Sequence, residues 1–442
     1  MRYAESDHGL LAPIWAGGAA EALTGDGALI RAMLDAEVAL ARTLVTTGIA
    51  PESSAQMISK VARRLEIDPR ELALEGRSGG NPVIPLVRRL RTAVADEDPT
   101  AAQWVHRGAT SQDIMDTALM ITSARVLDEV IRPGLARAAE ATAWLAASHR
   151  RTVLAGRTLS QHAVPITFGL KAAGWLSGLL DADEQCASVR RTLPAQLGGA
   201  AGTLAALDEP DRDATAVLDA FAAETGLIAR ETPWHTVRTP VATLASALSL
   251  TVGACGKPAL DVTMLAQTEL GEVSGDLGGE SSAMPQKRNP VTAVLLVAAA
   301  REAPSALATL HLGLLAENER PAGAWHAEWP SWRSLLRLAG GAATASGTLL
   351  AQLRPDADAM AATVARSGGA LLAERLTGVL RHEFGTEAAG VVREAALAGG
   401  LSELLTKYRV ADPAGYLGAA PEFVDRALSR YRSVFGEDSD GT

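Results

Sequence analysis

Gly278-Gly279-Glu280-Ser281-Ser282-Ala283-Met284-Pro285-Gln286-Lys287-Arg288-Asn289-Pro290-Val291 separates two long apolar stretches of the chain. Glycines let backbone swing and approach a ligand closely, because they lack Cβ and tolerate positive φ. Lys287 supplies a point cation, and Asn289 supplies both a donor and an acceptor. Ser281 or Ser282 could act on a carbon acid only if cations and backbone N–H groups stabilise its alkoxide. A glycine-rich surface loop with incidental polar groups would have the same composition, so the flanks must decide.

Those flanks read as helices. Val241–Leu270 is a long helical pattern interrupted by Gly253, Gly256 and Pro258, and Val291–Leu315 is again strongly apolar. Of the 442 residues, 48% are hydrophobic but only 4% aromatic, and alanine is abundant, which suits closely packed helices rather than an aromatic-rich β sandwich. The pattern predicts an all-α protein. Helices are expected near Ala28–Thr47, stopped by Gly48, and over Val83–Val94, Ile114–Val130 and Pro133–Arg150. From about Leu353 the glycine pairs Gly368-Gly369 and Gly399-Gly400 recur and shorter helices follow, with an acidic tail from Gly436.

A net charge of −10 disfavours nucleic acid or an anionic membrane as partner. Cys186 and Cys255 are too few for a disulfide framework and read as packing thiols of a cytoplasmic protein. No Cys/His cluster has zinc spacing, and the segment after Met1 lacks the basic-then-apolar order of a secretion signal. Apolar stretches such as Val291–Ala300 are broken by charge at Arg301 and Glu302, so no membrane span is expected. The glycine-rich Leu193–Thr203 lacks both a phosphate-loop lysine and a strand–turn–helix setting, so neither metal nor cofactor is called for.

Three other polar segments punctuate the helices. In His106-Arg107-Gly108-Ala109-Thr110-Ser111-Gln112-Asp113, a loop becomes a helix, so hydroxyls and first-turn N–H groups can face one anion; capping by Ser111 or Asp113 is the alternative. Gly156-Arg157-Thr158-Leu159-Ser160-Gln161-His162-Ala163-Val164-Pro165 follows the next helix. Glu317-Asn318-Glu319-Arg320, with Gly323-Ala324-Trp325-His326-Ala327-Glu328-Trp329, closes the set. Arg320 can grip a carboxylate bidentately, or pair with Glu317, Glu319 or Glu328. His235 is a candidate for reaching the site or for a structural hydrogen bond. Arg77–Pro82 reads as a plain helix connection.

The run Ser281–Pro290 resembles the S-S-x-M-P-x-K-x-N-P signature of the fumarase/aspartase superfamily. His106–Asp113 resembles its H-x-G-x-T-S-x-D motif, and Gly156–Pro165 its G-R-T-H-x-Q-x-A-x-P motif. Within that superfamily the Gln161–Trp175 and Gly323–Trp329 stretches are most similar to the 3-carboxy-cis,cis-muconate cycloisomerase branch. The resemblance implies three helical domains, over residues 1–112, 113–350 and 351–442, the middle one feeding long helices into the core of a homotetramer. It also implies composite active sites that take a small polycarboxylate and need no cofactor. Carried over residue by residue, Ser281 is the acid/base, with Thr110, Ser111, Gln112, Thr158, Gln161, Ser282, Met284, Lys287, Asn289 and Arg320 binding substrate; His106 and His235 are further candidates.

Three positions depart from the pattern. Leu159 stands where the lyases carry histidine, and leucine cannot deliver a proton. Glu280 replaces a glycine, and Asn318 replaces a histidine. The resemblance therefore implies reversible lactonisation of a carboxymuconate in aromatic catabolism. A related elimination of nitrosuccinate or adenylosuccinate type, releasing fumarate from a substituted succinate, is the first alternative, the adenylosuccinate type fitting less well without an acid at position 159. A non-catalytic helical scaffold is the second.

Overall fold

The computed structural model describes residues 9–207, 213–275, 279, 284 and 287–436. The acidic residues expected beyond Gly436 lie outside them, as do Ser281, Ser282 and Glu280. The described chain is mainly helical, and its contacts divide it into two compact units. One contains residues 1–133, 184–252 and 301–342; the other contains 134–183, 253–300 and 343–442. Every passage of the chain from one unit to the other falls inside a helix.

In the first unit, α1 (Asp26–Thr46) ends before Gly48, whose φ of 71° is ruinous for helix continuation but free of Cβ strain. It packs against α2 (Ser111–Val126) and α3 (Ala214–Thr225). Ala32, Leu34, Ala36, Leu40 and Leu44 of α1 are fully buried. Nearly all of α2 is buried too, including Gln112, Asp113, Asp116, Thr117, Thr122 and Ser123. Because α2 is enclosed on all sides, it has no solvent face for its polar residues, and each must find a protein partner. A π-helical turn, Leu127–Ile131, then leads into α4 (Arg132–Ser148). Pro133 has no N–H to continue the regular ladder, which accounts for the widened turn there.

In the second unit a β-hairpin, unforeseen from sequence, follows α4: β1 (Val153–Thr158) pairs antiparallel with β2 (Gln161–Thr167). The register slips at Gly156, where a Cβ would lie 2.6 Å from the carbonyl oxygen of Val164. Four long helices follow: α5 (Phe168–Arg191), α6 (Thr239–Leu265), α7 (Val291–Leu312) and α8 (Ala324–Gln352). Short helices complete the chain, and Leu372, Leu376, Leu380, Leu401 and Leu405 form their core.

Two helices carry longer apolar runs than the sequence suggested: Thr239–Leu265 and Val291–Leu312 are long and apolar enough to cross a bilayer by length and composition alone, a test that a buried core helix also passes. Arg301 and Glu302 do not end α7, so the apolar run is longer than the interruption suggested. Well over half of the apolar window in α6 is buried within the protein itself, whereas most of that in α7 is not.

One helix contact in the second unit depends on a missing side chain. A Cβ on Gly134 of α4 would lie 2.8 Å from the backbone carbonyl carbon of Ala343 in α8. Gly134→Ala is expected to destabilise by about 1–3 kcal/mol through overpacking. Gly174→Ala, at an exposed helical glycine whose Cβ would meet nothing within 4 Å, is expected to stabilise by roughly 0.5–1 kcal/mol. Paired denaturant titrations check both signs.

Candidate functional site

The first turn of α2 is densely hydrogen-bonded. Thr110 is its N-cap, with φ −117°, and its N–H donates to Asp113 Oδ2 at 2.9 Å. Gly199 N–H donates to the same oxygen at 2.9 Å, and Gly198 N–H to Oδ1 at 2.9 Å. His235 Nε2 lies 2.7 Å from Oδ1. The Asp113 carboxylate is fully buried, and by these four contacts it fastens two loops to the helix end. Capping and site-building are thus one arrangement here, since the cap residue and its neighbours also carry the candidate hydroxyls. Of the two readings of His235, the geometry gives the structural hydrogen bond.

One turn further into α2, Asp116 meets the buried Arg238. Arg238 Nη1 donates to Asp116 Oδ2 at 2.7 Å and Nη2 to Oδ1 at 3.2 Å. The same guanidinium donates through Nε and Nη2 to the two oxygens of Glu328, at 3.1 and 2.5 Å. Trp325 Nε1 donates to Asp116 Oδ1 at 2.9 Å, and the guanidinium carbon sits 4.9 Å from the Trp234 ring centroid. Burial opposes charge on Arg238, but the Asp116 carboxylate and the Glu328 hydrogen bond outweigh it and raise its pKa. Burial pushes the Glu328 carboxyl above its usual range, against the pull of Arg238. Gly313 makes room for this carboxylate, because a Cβ there would lie 2.4 Å from Glu328 Oε1.

Gln112 joins this buried network to the expected carboxylate ligand. Its Nε2 donates to Asp116 Oδ2 at 3.2 Å and to the His235 carbonyl at 2.9 Å. Its Oε1 accepts from Arg320 Nε at 3.1 Å. Gln112 is fully buried, so the structure places it behind Arg320 as a support. Arg320 Nη2 also donates to Thr110 Oγ1 at 3.2 Å and to the Ala200 carbonyl at 3.3 Å. Glu328 pairs with Arg238, and Glu317 accepts from the Ala322 N–H, so Arg320 is held by neutral acceptors. A half-buried cation whose partners among the described residues are all neutral has its charge available to an incoming anion.

His106 belongs to the same unit. It adopts a left-handed backbone, φ 59°, and its Nδ1 lies 2.6 Å from Glu37 Oε1. Burial alone lowers its pKa, but the Glu37 charge and hydrogen bond, together with the Asp113 charge, raise it above the usual imidazole value. Glu37, Asp116 and Arg238 were not singled out in the sequence, and Glu328, expected as a possible partner of Arg320, pairs with Arg238 instead. The available signal was the pair of aspartates three residues apart in α2, a helix otherwise rich in apolar residues.

Of the other expected ligands among the described residues, Ser111 is the first residue of α2, and Thr158, Gln161, Met284, Lys287 and Asn289 lie in the second unit. Thr158 and Gln161 face each other across the hairpin. Between them Leu159 and Ser160 form the turn, with φ 48° and 64°, and Leu159 is 99% exposed. Two positive-φ residues suit a two-residue hairpin turn, for which Asn-Gly is the ordinary sequence. Arg157 Nη2 donates to the buried Glu272 at 2.8 Å. Lys287 and Met284 are exposed and joined by a 2.9 Å bond from the Lys287 N–H to the Met284 carbonyl. Asn289 N–H donates to the Gly279 carbonyl at 3.1 Å, and Gly279, at φ 86°, has no room for a Cβ against Val291.

A helical chain with a hydroxyl-rich helix start, an arginine held by neutral groups, and a lysine–asparagine loop ahead of a long helix is built as the fumarase/aspartase superfamily is built, and the chain belongs to it. The sequence profile of the lyase family, described as Lyase, matches residues 19–304. Nitrosuccinate lyase of Streptomyces davaonensis is 45% identical over 449 aligned positions, covering 96% of this chain and 94% of that protein. 3-carboxy-cis,cis-muconate cycloisomerase of Pseudomonas aeruginosa is 39% identical, covering 93% and 94%. Among solved structures, the 3-carboxy-cis,cis-muconate lactonizing enzyme of Pseudomonas putida matches with a TM-score of 0.88 at 35% identity, covering 96% of this chain and 99% of that one. The protein is therefore an enzyme of this superfamily, with lyases and cycloisomerases as its relatives.

Arg238→Met removes the one cation between two buried carboxylates. The expected loss is about 3–5 kcal/mol, the usual effect of stranding buried charge. Arg238→Met combined with Asp116→Asn and Glu328→Gln is expected to regain part of it, as read from chemical denaturation.

Proposed function

We propose that this protein eliminates nitrite from nitrosuccinate to give fumarate. The carrying observation is the match to nitrosuccinate lyase; Leu159, an apolar residue where proton-donating lyases have histidine, argues only against leaving groups that need a proton. A nitrogen that leaves as an amine or amide needs a proton, whereas nitrite leaves as a stable anion. The match to nitrosuccinate lyase stands at 45% identity, against 39% to a cycloisomerase.

The Ser281 alkoxide takes a proton from the carbon beside one substrate carboxylate, and the electron pair moves into that carboxylate as an aci-carboxylate. The pair returns to form the C=C bond while the C–N bond breaks, and nitrite departs with the bonding electrons. Lys287 and Asn289 hold the carboxylate that accumulates charge, with N–H groups near Met284. Thr110, Ser111 and Arg320, the last kept in place by Gln112, bind the second carboxylate; Thr158, Gln161 and Ser282 take the remaining oxygens. Preorganised donors of this kind are worth roughly 2.7–4 kcal/mol of barrier each.

The active enzyme in this reading is a cytoplasmic homotetramer of three-domain subunits with composite sites. Exposed apolar residues support self-association: Leu250, Leu260 and Met264 of α6 are 44%, 43% and 47% exposed, and Val294 of α7 is 51% exposed. The second reading, lactonisation of 3-carboxy-cis,cis-muconate, is favoured by the Pseudomonas putida structural match and equally needs no acid at position 159.

Purified protein incubated with nitrosuccinate is expected to release nitrite and fumarate in equal amounts, followed by a colorimetric nitrite assay and fumarate absorbance. Ser281→Ala is expected to lower kcat by about 10²–10⁴-fold. Loss of the carboxymuconate diene without nitrite release from nitrosuccinate would transfer the assignment to the cycloisomerase.

A further inference from the structure

We propose that Glu37 is a positioning residue that holds His106 as an imidazolium, with its Nε2–H directed at an anionic oxygen of the substrate. The inference rests on the polycarboxylate substrate of the reading above, but the pairing itself rests on geometry alone.

Glu37 lies on α1, in the middle of a helix whose neighbours are almost all apolar, and its side chain is 1% exposed. A carboxylate so buried is costly unless a cation compensates it. Its Oε1 is 2.6 Å from His106 Nδ1, and its Oε2 is buried with no hydrogen-bond partner among the described residues. A neutral imidazole would leave that charge uncompensated, whereas imidazolium neutralises it. The charged groups that act on the ring from the packed elements are Glu37 of α1, Asp113 of α2 and Arg91, which sits in the helix Val83–Ala95. Arg91 is anchored by donating to the Val105 carbonyl at 3.0 Å, on the His106 loop itself. The two carboxylates outweigh both it and the burial that opposes charge, so the pKa of the ring is raised above the ordinary imidazole value.

The ring's orientation follows. With Nδ1 turned to Glu37, only Nε2–H remains to donate, and it has no protein partner among the described residues while the side chain is 16% exposed. The backbone of His106 is in the left-handed region, a conformation that a non-glycine residue keeps only where surrounding contacts impose it. Four residues later comes Thr110, whose hydroxyl already receives Arg320. A cation fixed on the lead-in to that cluster adds a second positive charge without moving a proton. In this role His106 offsets the charge gained by the aci-carboxylate or its partner carboxylate, and it remains protonated throughout the cycle.

The sign of the pH effect is determined by the pair. The raised pKa of His106 means that its cationic form, and the stability it contributes, is complete below its unfolded pKa and is lost as pH rises through the folded value. In Glu37→Gln the ring loses its main stabilising charge while burial remains, so its pKa drops.

The test reads protonation without needing turnover. Carbethoxylation by diethyl pyrocarbonate attacks neutral imidazole, and peptide mass spectrometry gives the rate at His106 against pH, with the exposed His326 as internal reference. Wild type is expected to show a midpoint above the usual imidazole value, Glu37→Gln a midpoint at least one unit lower, and Glu37→Asp a value between them. On substrate, Glu37→Gln is expected to keep kcat/KM within about threefold of wild type near pH 6 and to lose about tenfold or more near pH 8, since each unit of pKa is a tenfold change in charged fraction. An unchanged labelling midpoint, or an equal loss of activity at both pH values, overturns the proposal. If nitrosuccinate and carboxymuconate both fail with wild type, the reaction assignment fails, and the labelling series still decides the pairing.

Discussion

The Asp113 carboxylate is the constraint from which the first unit's polar architecture follows. It is buried at the start of α2, receives three backbone N–H groups and contacts His235. Loops carrying Thr110, Gly198 and Gly199 have no regular ladder to satisfy their N–H groups, and in an enclosed position each unmade bond would cost free energy. One carboxylate meets all of them at once. The geometry of Thr110 therefore derives from a residue that need not touch a ligand. Arg320 inherits that geometry through Thr110 and Gln112, and behind Gln112 stands the Arg238 cluster, in which every charged oxygen of Asp116 has a donor.

Two kinds of cation result. Arg238 is enclosed by two carboxylates and an indole face, so its charge is consumed in holding α2 to the segments that bear Trp234 and Glu328. Arg320 is held by an amide oxygen, a hydroxyl and a carbonyl, none of which cancels its charge. The distinction is physical rather than positional: both are arginines contacting the same helix, yet only one is electrostatically available.

Helix pattern made most of the fold legible. Apolar spacing marked α1, α2, α4, α6 and α7 to within a few residues, and the change of texture after Leu353 marked the short helices. The hairpin was not legible, because Thr158-Leu159-Ser160-Gln161 lacks the Asn-Gly or Asp-Gly pair that ordinarily announces such a turn. Thr110, Gln112 and Arg320 were drawn together by motifs, and their side chains do meet. What escaped was the division of labour among them: Gln112 faces protein on every side because Asp116 and the His235 carbonyl occupy its amide. Those partners come from distant segments, and hydrophobic periodicity carries no record of which buried charge meets which. The two long apolar helices were underestimated for a related reason, since a single Arg301-Glu302 pair interrupts composition without interrupting hydrogen bonding.

The interleaving of the two units has a consequence for synthesis. The first unit draws on residues 301–342, and the second on residues up to the C-terminal helices, so neither can close while only its early segments have left the ribosome. Asp116 emerges 122 residues before Arg238 and Arg238 90 residues before Glu328, and Gly134 emerges long before the Ala343 backbone it packs against. Nascent chains must therefore carry unpaired apolar helices through most of translation, a condition that favours chaperone engagement and makes late residues the ones that commit the whole chain to its final state.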